Sequence, residues 1–221
     1  MVHAAYRALE AEGLVTSSRG HGTVVRQRAP LKRLGIARYD KAKWRDGDEV
    51  AFIADRVASG RSYRRNEQTQ TVSRVKASAV VAEAHGLPEG AEVYARARVV
   101  REGSQPTHTL TSYYRPEHVE GTRLVDQTPG PAGCGGVRVL YDAGYEIDHM
   151  QETLFARVPT AEEVQLLQLS PGEWVVELHR TTFTADGTVV EFAIGVHAAT
   201  RFSWTYDFKV PDSANDGGEA K

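Results

Sequence analysis

Apolar residues change their spacing along this chain, and each spacing predicts a different element. Between Val2 and Glu12 the apolar positions Val2, Ala5, Tyr6 and Leu9 recur every three or four residues, which gives a helix one apolar face. Gly13 stops it, because glycine takes the left-handed backbone that closes helices. Two short β-prone runs follow, Leu14 to Thr16 and Thr23 to Val25, joined by Ser17-Ser18-Arg19-Gly20-His21-Gly22, and this pattern predicts a hairpin. Residues 27–47 keep neither a helical nor a strand period and read as a connector. Helix-like and strand-like segments then alternate as far as Pro211, beyond which "PDSANDGGEAK" is small and polar, a tail expected to be disordered.

Within the body one unit occurs twice. "SAVVAEAHGLPEGAEVYARARVVREGSQPTHTLTSYY" and "TAEEVQLLQLSPGEWVVELHRTTFTADGTVVEFAIGV" each place a short helix before a strand, a turn and a second strand. In the second copy Thr160 and Glu163 have the spacing of a capping box, and Asp186-Gly187 is a hairpin turn signal. With further strands near Gln68 to Lys76 and His149 to Val158, the pattern predicts an antiparallel sheet with helices packed on one side, an α+β body.

Alternation also sorts the chemistry. In Glu92 to Arg101, Val93, Ala95, Ala97 and Val99 share one face, leaving Tyr94, Arg96 and Arg98 on the other. In Val189 to His197, Glu191 and His197 share a face opposite Val190, Phe192, Ile194 and Val196. Arginine forks beside a carboxylate on a sheet's polar face suit an anionic or hydroxylated small molecule. Phe202, Trp204, Tyr206 and Phe208 alternate too, which predicts a last strand with an aromatic face for core or dimer packing.

Composition narrows the function classes. The 221 residues are 41% hydrophobic, enough for a substantial core, and no apolar run reaches the roughly 18 to 20 residues of a membrane span. No signal peptide opens the chain, and the lone Cys134 has no internal disulfide partner, so a cytoplasmic location is expected. Net charge is only −2, but residues 1–33 carry six basic side chains against two acidic ones, and no acid occurs from Gly13 to Arg33. Such a basic head suits a phosphate backbone. His108 and His118, or His179 and His197, lack metal-ligand spacing, so neither metal nor other cofactor is expected. "GPAGCGGVRV" lacks a phosphate-loop lysine and reads as a loop, and Cys134 has no placed activating base.

The stretch "AYRALEAEGLVTSSRGHGTVV" resembles the back half of a GntR-type winged helix-turn-helix. The resemblance implies that His3 and Arg7 on the helix, and Arg19, Gly20, His21, Gly22 and Thr23 on the wing, contact DNA. Glycines 20 and 22 would let the wing enter a narrow minor groove, and Arg19 would meet its negative potential. Met1 falls where the family's recognition helix begins, so the sequence is expected to start inside its DNA-binding domain.

Residues 46 to 210 resemble the UTRA effector-binding domain of the HutC branch, which shares the chorismate lyase fold; the markers are Pro159 to Glu163, Leu169 to Gly172, Asp186-Gly187, Val190-Glu191 and Arg201-Phe202. The resemblance implies a winged-helix piece at 1–28, a linker at 29–45, the UTRA domain at 46–210 and a tail at 211–221. It carries the family's Arg-x-Arg pair onto Arg96 and Arg98 and its Glu onto Glu191, with Ser112, Tyr114 and His197 as further polar liners. Leu110 and Gly135-Gly136 stand where the family places sugar-binding groups, so a phosphosugar is not expected. The function expected is a DNA-binding regulator, a repressor controlled by a small-molecule effector and working as a homodimer on operator DNA, without catalysis. The alternative is a lyase-like enzyme, or a ligand-binding protein on the same fold without DNA binding.

Overall fold

The computed structural model describes residues 2–11, 15–18, 22–25, 30–45, 51–63, 67–127 and 135–210. Helix α1 (Val2–Ala11) precedes strands β1 (Val15–Ser18) and β2 (Gly22–Val25), which pair antiparallel with Val15 opposite Val25 and Ser18 opposite Gly22. The Ser17 N–H donates to the Glu10 carboxylate at 3.1 Å, which ties hairpin to helix. Val2 and Tyr6, on the apolar face of α1, are exposed. The expected helix stop at Gly13, the wing tip Arg19-Gly20-His21 and the tail 211–221 lie outside the described residues.

The body is built on six antiparallel strands in the order β4-β5-β6-β9-β8-β7. They span Gln68–Lys76 (β4), Glu92–Glu102 (β5), Gln105–Tyr114 (β6), Ile147–Arg157 (β7), Val175–Thr184 (β8) and Val189–Ala198 (β9). The sequence repeat appears as two units of strand, helix, strand, strand. Helix α4 (Ala79–His85) follows β4, and α7 (Ala161–Leu167) follows β7. Each helix packs across onto the other unit, α4 against β9 and α7 against β6, so neither half buries its helix alone. The Thr160–Glu163 capping box forms, with the Glu163 N–H donating to Thr160 Oγ1 at 3.2 Å and the Thr160 N–H to Glu163 Oε2 at 2.8 Å.

On that face Val81, Ala82, Val93 and Phe192 form one buried cluster, and Leu167, Val175, Val196 and Ala198 another. Each fully buried Val or Leu there contributes about 1.5–3 kcal/mol. The opposite face is covered as well, which corrects the expectation of helices on one side only. Strand alternation raises Tyr114 from that second face, and Trp44, Val119, Leu124 and Leu140 close over it. They come from α2 (Lys41–Trp44), α5 (Pro116–Val119), a 3₁₀ turn (Arg123–Val125) and α6 (Gly135–Asp142). The glycine-rich run expected to be a loop therefore supplies, from Gly135 onward, the start of a helix.

The described part of the expected connector, residues 30–45, is also folded. β3 (Leu31–Leu34) pairs parallel with β10 (Phe202–Thr205), Leu31 opposite Phe202 and Leu34 opposite Thr205. A pattern search misses β3 because Lys32 and Arg33 interrupt its apolar period, yet Arg33 is buried through ion pairing. At Gly35 a Cβ would stand 2.6 Å from the Thr205 carbonyl oxygen, so this close crossing requires glycine. Helix α3 (Ala51–Ala58) seals the junction, with Asp55 accepting the Leu34 N–H at 2.9 Å and pairing with Arg38 at 3.1 Å. β10 ends at Thr205, so the expected aromatic strand stops halfway; Phe202 is buried and Phe208 is exposed.

Candidate functional site

The register lines up polar residues across five strands of the second face. Arg96 stands opposite Ser112, Ser112 opposite Ala193, Ala193 opposite Arg180 and Arg180 opposite Glu152. Two residues along each strand, Tyr114 faces Tyr94 and Glu191 faces Thr182. Period-two alternation keeps all of these side chains over one surface. Of the six residues expected to line an effector pocket, Arg96, Arg98, Ser112, Tyr114 and Glu191 are brought together.

Glu191 is held from three sides. Its Oε2 accepts Arg180 at 2.8 Å and Thr182 Oγ1 at 3.2 Å, and its Oε1 accepts the Tyr114 hydroxyl at 3.0 Å. Burial pushes its pKa up, but the Arg180 charge, a hydrogen bond with Ser112 and the Arg98 charge outweigh burial and hold it at about 2. Tyr114 is pushed up to about 12, by burial first and by Glu191 second, so it stays a neutral donor.

The two arginines of β5 are placed differently. Arg98 donates to the Ser112 hydroxyl, and its pKa is pushed down to about 10 by burial and then by the neighbouring Arg96 charge. Arg96 is 8% exposed, its Nε is buried without a partner, and among the described residues no acceptor or carboxylate pairs with its guanidinium. Among the described residues Arg98 and Arg180 both feel Glu191, which Arg180 already occupies, and Arg180 feels Glu152 as well. Over Tyr114 lies the first turn of α6. A Cβ on Gly136 would stand 3.0 Å from the Tyr114 hydroxyl, so that turn passes directly above the tyrosine.

His197 does not belong to this group. It lies six residues along β9 from Glu191, about 20 Å at strand rise, beneath β3 and β10. Its ring stacks on His108 at 4.8 Å between centroids, with Phe202 and Trp204 edge-on at 4.9 and 5.4 Å. The shared face expected for Glu191 and His197 holds, while the shared pocket does not, because alternation fixes the side of a strand and not the position along it. Beside the pair is a cavity of about 20 Å³ between Arg33, Arg38, Asp55 and Arg56, room for about one water molecule.

The structure adds residues that sequence reasoning missed. Arg180 and Thr182 share the Glu191 face, and the alternation of Leu178, Arg180 and Thr182 was the available signal. Tyr39, Arg33 and Glu152 had no local signal. The Tyr39 hydroxyl accepts Arg180 at 3.1 Å and Arg33 at 3.0 Å and donates to Glu152 at 2.5 Å, and Arg33 forks onto Glu152. Burial raises the Glu152 pKa, but Arg33 and then Tyr39 outweigh it and hold it at about 2.

In the head, His3 and Arg7 are exposed on α1, and Gly22 and Thr23 are exposed on β2. The Ser17 and Thr23 hydroxyls stand 3.0 Å apart across the hairpin. Arg19, Gly20 and His21 lie outside the described residues.

A helix and hairpin of winged-helix form, followed by an α+β body of the chorismate lyase type, define the class of protein. The chain belongs to the UTRA domain family, whose pattern matches residues 63–203. It is 86% identical over 214 residues to an uncharacterised HTH-type transcriptional regulator of Streptomyces coelicolor, covering 96% of this chain and 80% of that one. Among solved structures, a GntR-family transcriptional regulator superposes with TM-score 0.62 at 24% identity, over 94% of this chain and 80% of the other. PhnF from Mycobacterium smegmatis gives 0.64 at 19%, over 95% and 84%. At these identities the two structures speak for the fold. In the described residues no helix is long and apolar enough to cross a membrane.

Proposed function

We propose that the chain is an effector-controlled transcriptional regulator, a repressor of the GntR type and HutC branch. A small anionic metabolite binds at Arg96 and Arg98, and operator DNA binds the basic head of a cytoplasmic homodimer. Arg96 carries the ligand half of this reading. A guanidinium this buried, with no carboxylate and no acceptor among the described residues, favours a ligand that supplies negative charge. Arg98 and the positive end of α6 add to the same demand. Glu191 argues against a lyase, since a carboxyl held at about 2 and hydrogen-bonded on both oxygens is a poor general base at neutral pH.

We place the head at residues 1–28 and the effector domain at 46–210, with 29–45 as the linker, whose described residues 30–45 form a bracket between them. The effector acts by preferring one arrangement of the two heads, to the extent of its differential affinity.

A thermal-shift screen of inorganic phosphate, sugar phosphates and carboxylic acids tests the ligand half. One class should raise the melting temperature of the parent chain and fail to do so in Arg96→Ala. A full response in that variant places the ligand elsewhere. For the DNA half, Arg19→Ala should weaken binding to the DNA upstream of the chain's own gene and lower the salt slope by about 1. An unchanged slope removes Arg19 from the DNA contact.

A further inference from the structure

We propose that the Tyr39 hydroxyl is the junction through which occupancy of the Arg96–Arg98 site reaches the segment behind the hairpin, with Arg33 and Tyr39 as positioning residues. This rests on the reading of Arg96 and Arg98 as an anion site and assigns its route of regulation.

Two buried ion pairs flank that hydroxyl. Arg180 and Glu191, joined at 2.8 Å, stand beside Arg98. Arg33 and Glu152 form the second pair, with Arg33 on β3, whose first residue lies six positions beyond the last residue of β2. Tyr39 joins them. Its oxygen accepts Nη1 of Arg180 at 3.1 Å and Nη2 of Arg33 at 3.0 Å, and its proton goes to Glu152 Oε1 at 2.5 Å. A phenol has one donor and two acceptor positions, and all three are used.

Arg180 divides its fork between the two sides, Nη2 to Glu191 and Nη1 to Tyr39. An anion entering beside Arg96 and Arg98 draws on the same guanidinium and on the Tyr114 hydroxyl that now serves Glu191. Glu191 and Arg180 must then shift, and Tyr39 loses or reorients a donor. The consequence falls on Arg33, 1% exposed, whose backbone pairs β3 with β10. Interactions among groups this buried are weakly screened by solvent, so a change at one pair is felt at the other. Among the described residues no hydrogen bond or ion pair joins Arg96, Arg98, Arg180 or Glu191 to the head; the proposed coupling runs through the bracket.

The test needs no identified effector. Glu191→Gln perturbs the anion-site end, and amide exchange of the peptide covering residues 31–39 reads the bracket end by mass spectrometry. Exchange there should accelerate on the order of threefold to tenfold in Glu191→Gln. With Tyr39→Phe already present, adding Glu191→Gln should change it by less than about twofold. Val93→Ala, which weakens the core on the opposite face, serves as the control for general destabilisation and should leave that peptide near its parent rate. If Glu191→Gln does not fold, Thr182→Val supplies the perturbation from the same end. Equal acceleration with and without the Tyr39 hydroxyl overturns the junction, as does acceleration by Val93→Ala equal to that by Glu191→Gln.

Inorganic phosphate separates this proposal from the one beneath it. Failure of phosphate to stabilise the parent more than Arg96→Ala counts against the anion site. The variant comparison at residues 31–39 decides the junction whether or not phosphate binds.

Discussion

Replacing Glu191 by glutamine preserves shape and removes one buried charge, so its cost can be worked from the site. The carboxyl is held at about 2 against an ordinary 4.5, burial pushing up and Arg180, Ser112 and Arg98 together more than cancelling it. That gap corresponds to about 3 kcal/mol of preference for the ionised form in the native state. Stripping one partner from a buried ion pair gives a similar figure, about 3–5 kcal/mol. Glutamine also turns an amide N–H₂ toward Arg180 or Tyr114, both of which are donors. The sign with pH follows from the folded value lying below the unfolded one. The contribution is whole above pH 4.5 and is lost as pH falls toward 2. Urea unfolding followed through the buried Trp44 should therefore show Glu191→Gln weaker than the parent by about 3 kcal/mol at neutral pH, narrowing to about 2 kcal/mol near pH 4. A neutral-pH difference below about 1 kcal/mol, or one that widens in acid, would refute the account of Glu191 as a clamped carboxylate.

Arg96→Met removes an uncompensated buried cation, so the ligand-free protein should melt about 2–4 °C higher while losing its response to anions; a lower melting temperature contradicts the orphan assignment. Burial holds the His85 pKa at about 4 and depresses His108 and His197 well below 6.5. Their folded values lie below the unfolded ones, so urea midpoints should be highest above pH 6.5 and fall as the solution is acidified, and a flat profile between neutrality and pH 5 would exclude neutral buried rings. Thr160→Ala opens the capping box on α7 and should destabilise by about 1 kcal/mol in urea titrations, whereas no change would make the box ornamental. Leu167→Ala, at a fully buried position where α7 meets the sheet, should lower stability by about 2–5 kcal/mol, and a loss under 1 kcal/mol would mean that the helix does not seal that core.

Local order was legible in the chain itself. Helix α1, the hairpin ladder, the twofold repeat of helix and hairpin, the capping box at Thr160 and the turn at Asp186-Gly187 all depend on residues a few positions apart, and spacing records such relations directly. The same rule put Arg96 and Arg98 on one side of β5, and Glu191 with His197 on one side of β9. What that rule lacks is distance along the sheet. Register between strands set Glu191 beside Tyr114 and Arg180, and carried His197 off to His108 and Phe202 beneath β10. Only the tertiary structure could decide that residues 31–44 fold onto the body, since β3 finds its partner in β10 and Gly35 is demanded by the Thr205 carbonyl. The Arg33–Glu152 and Tyr39–Arg180 contacts span 119 and 141 positions. Buried charges are stable only beside their opposites, and which opposite arrives is a property of the packed sheet that no period in the sequence encodes.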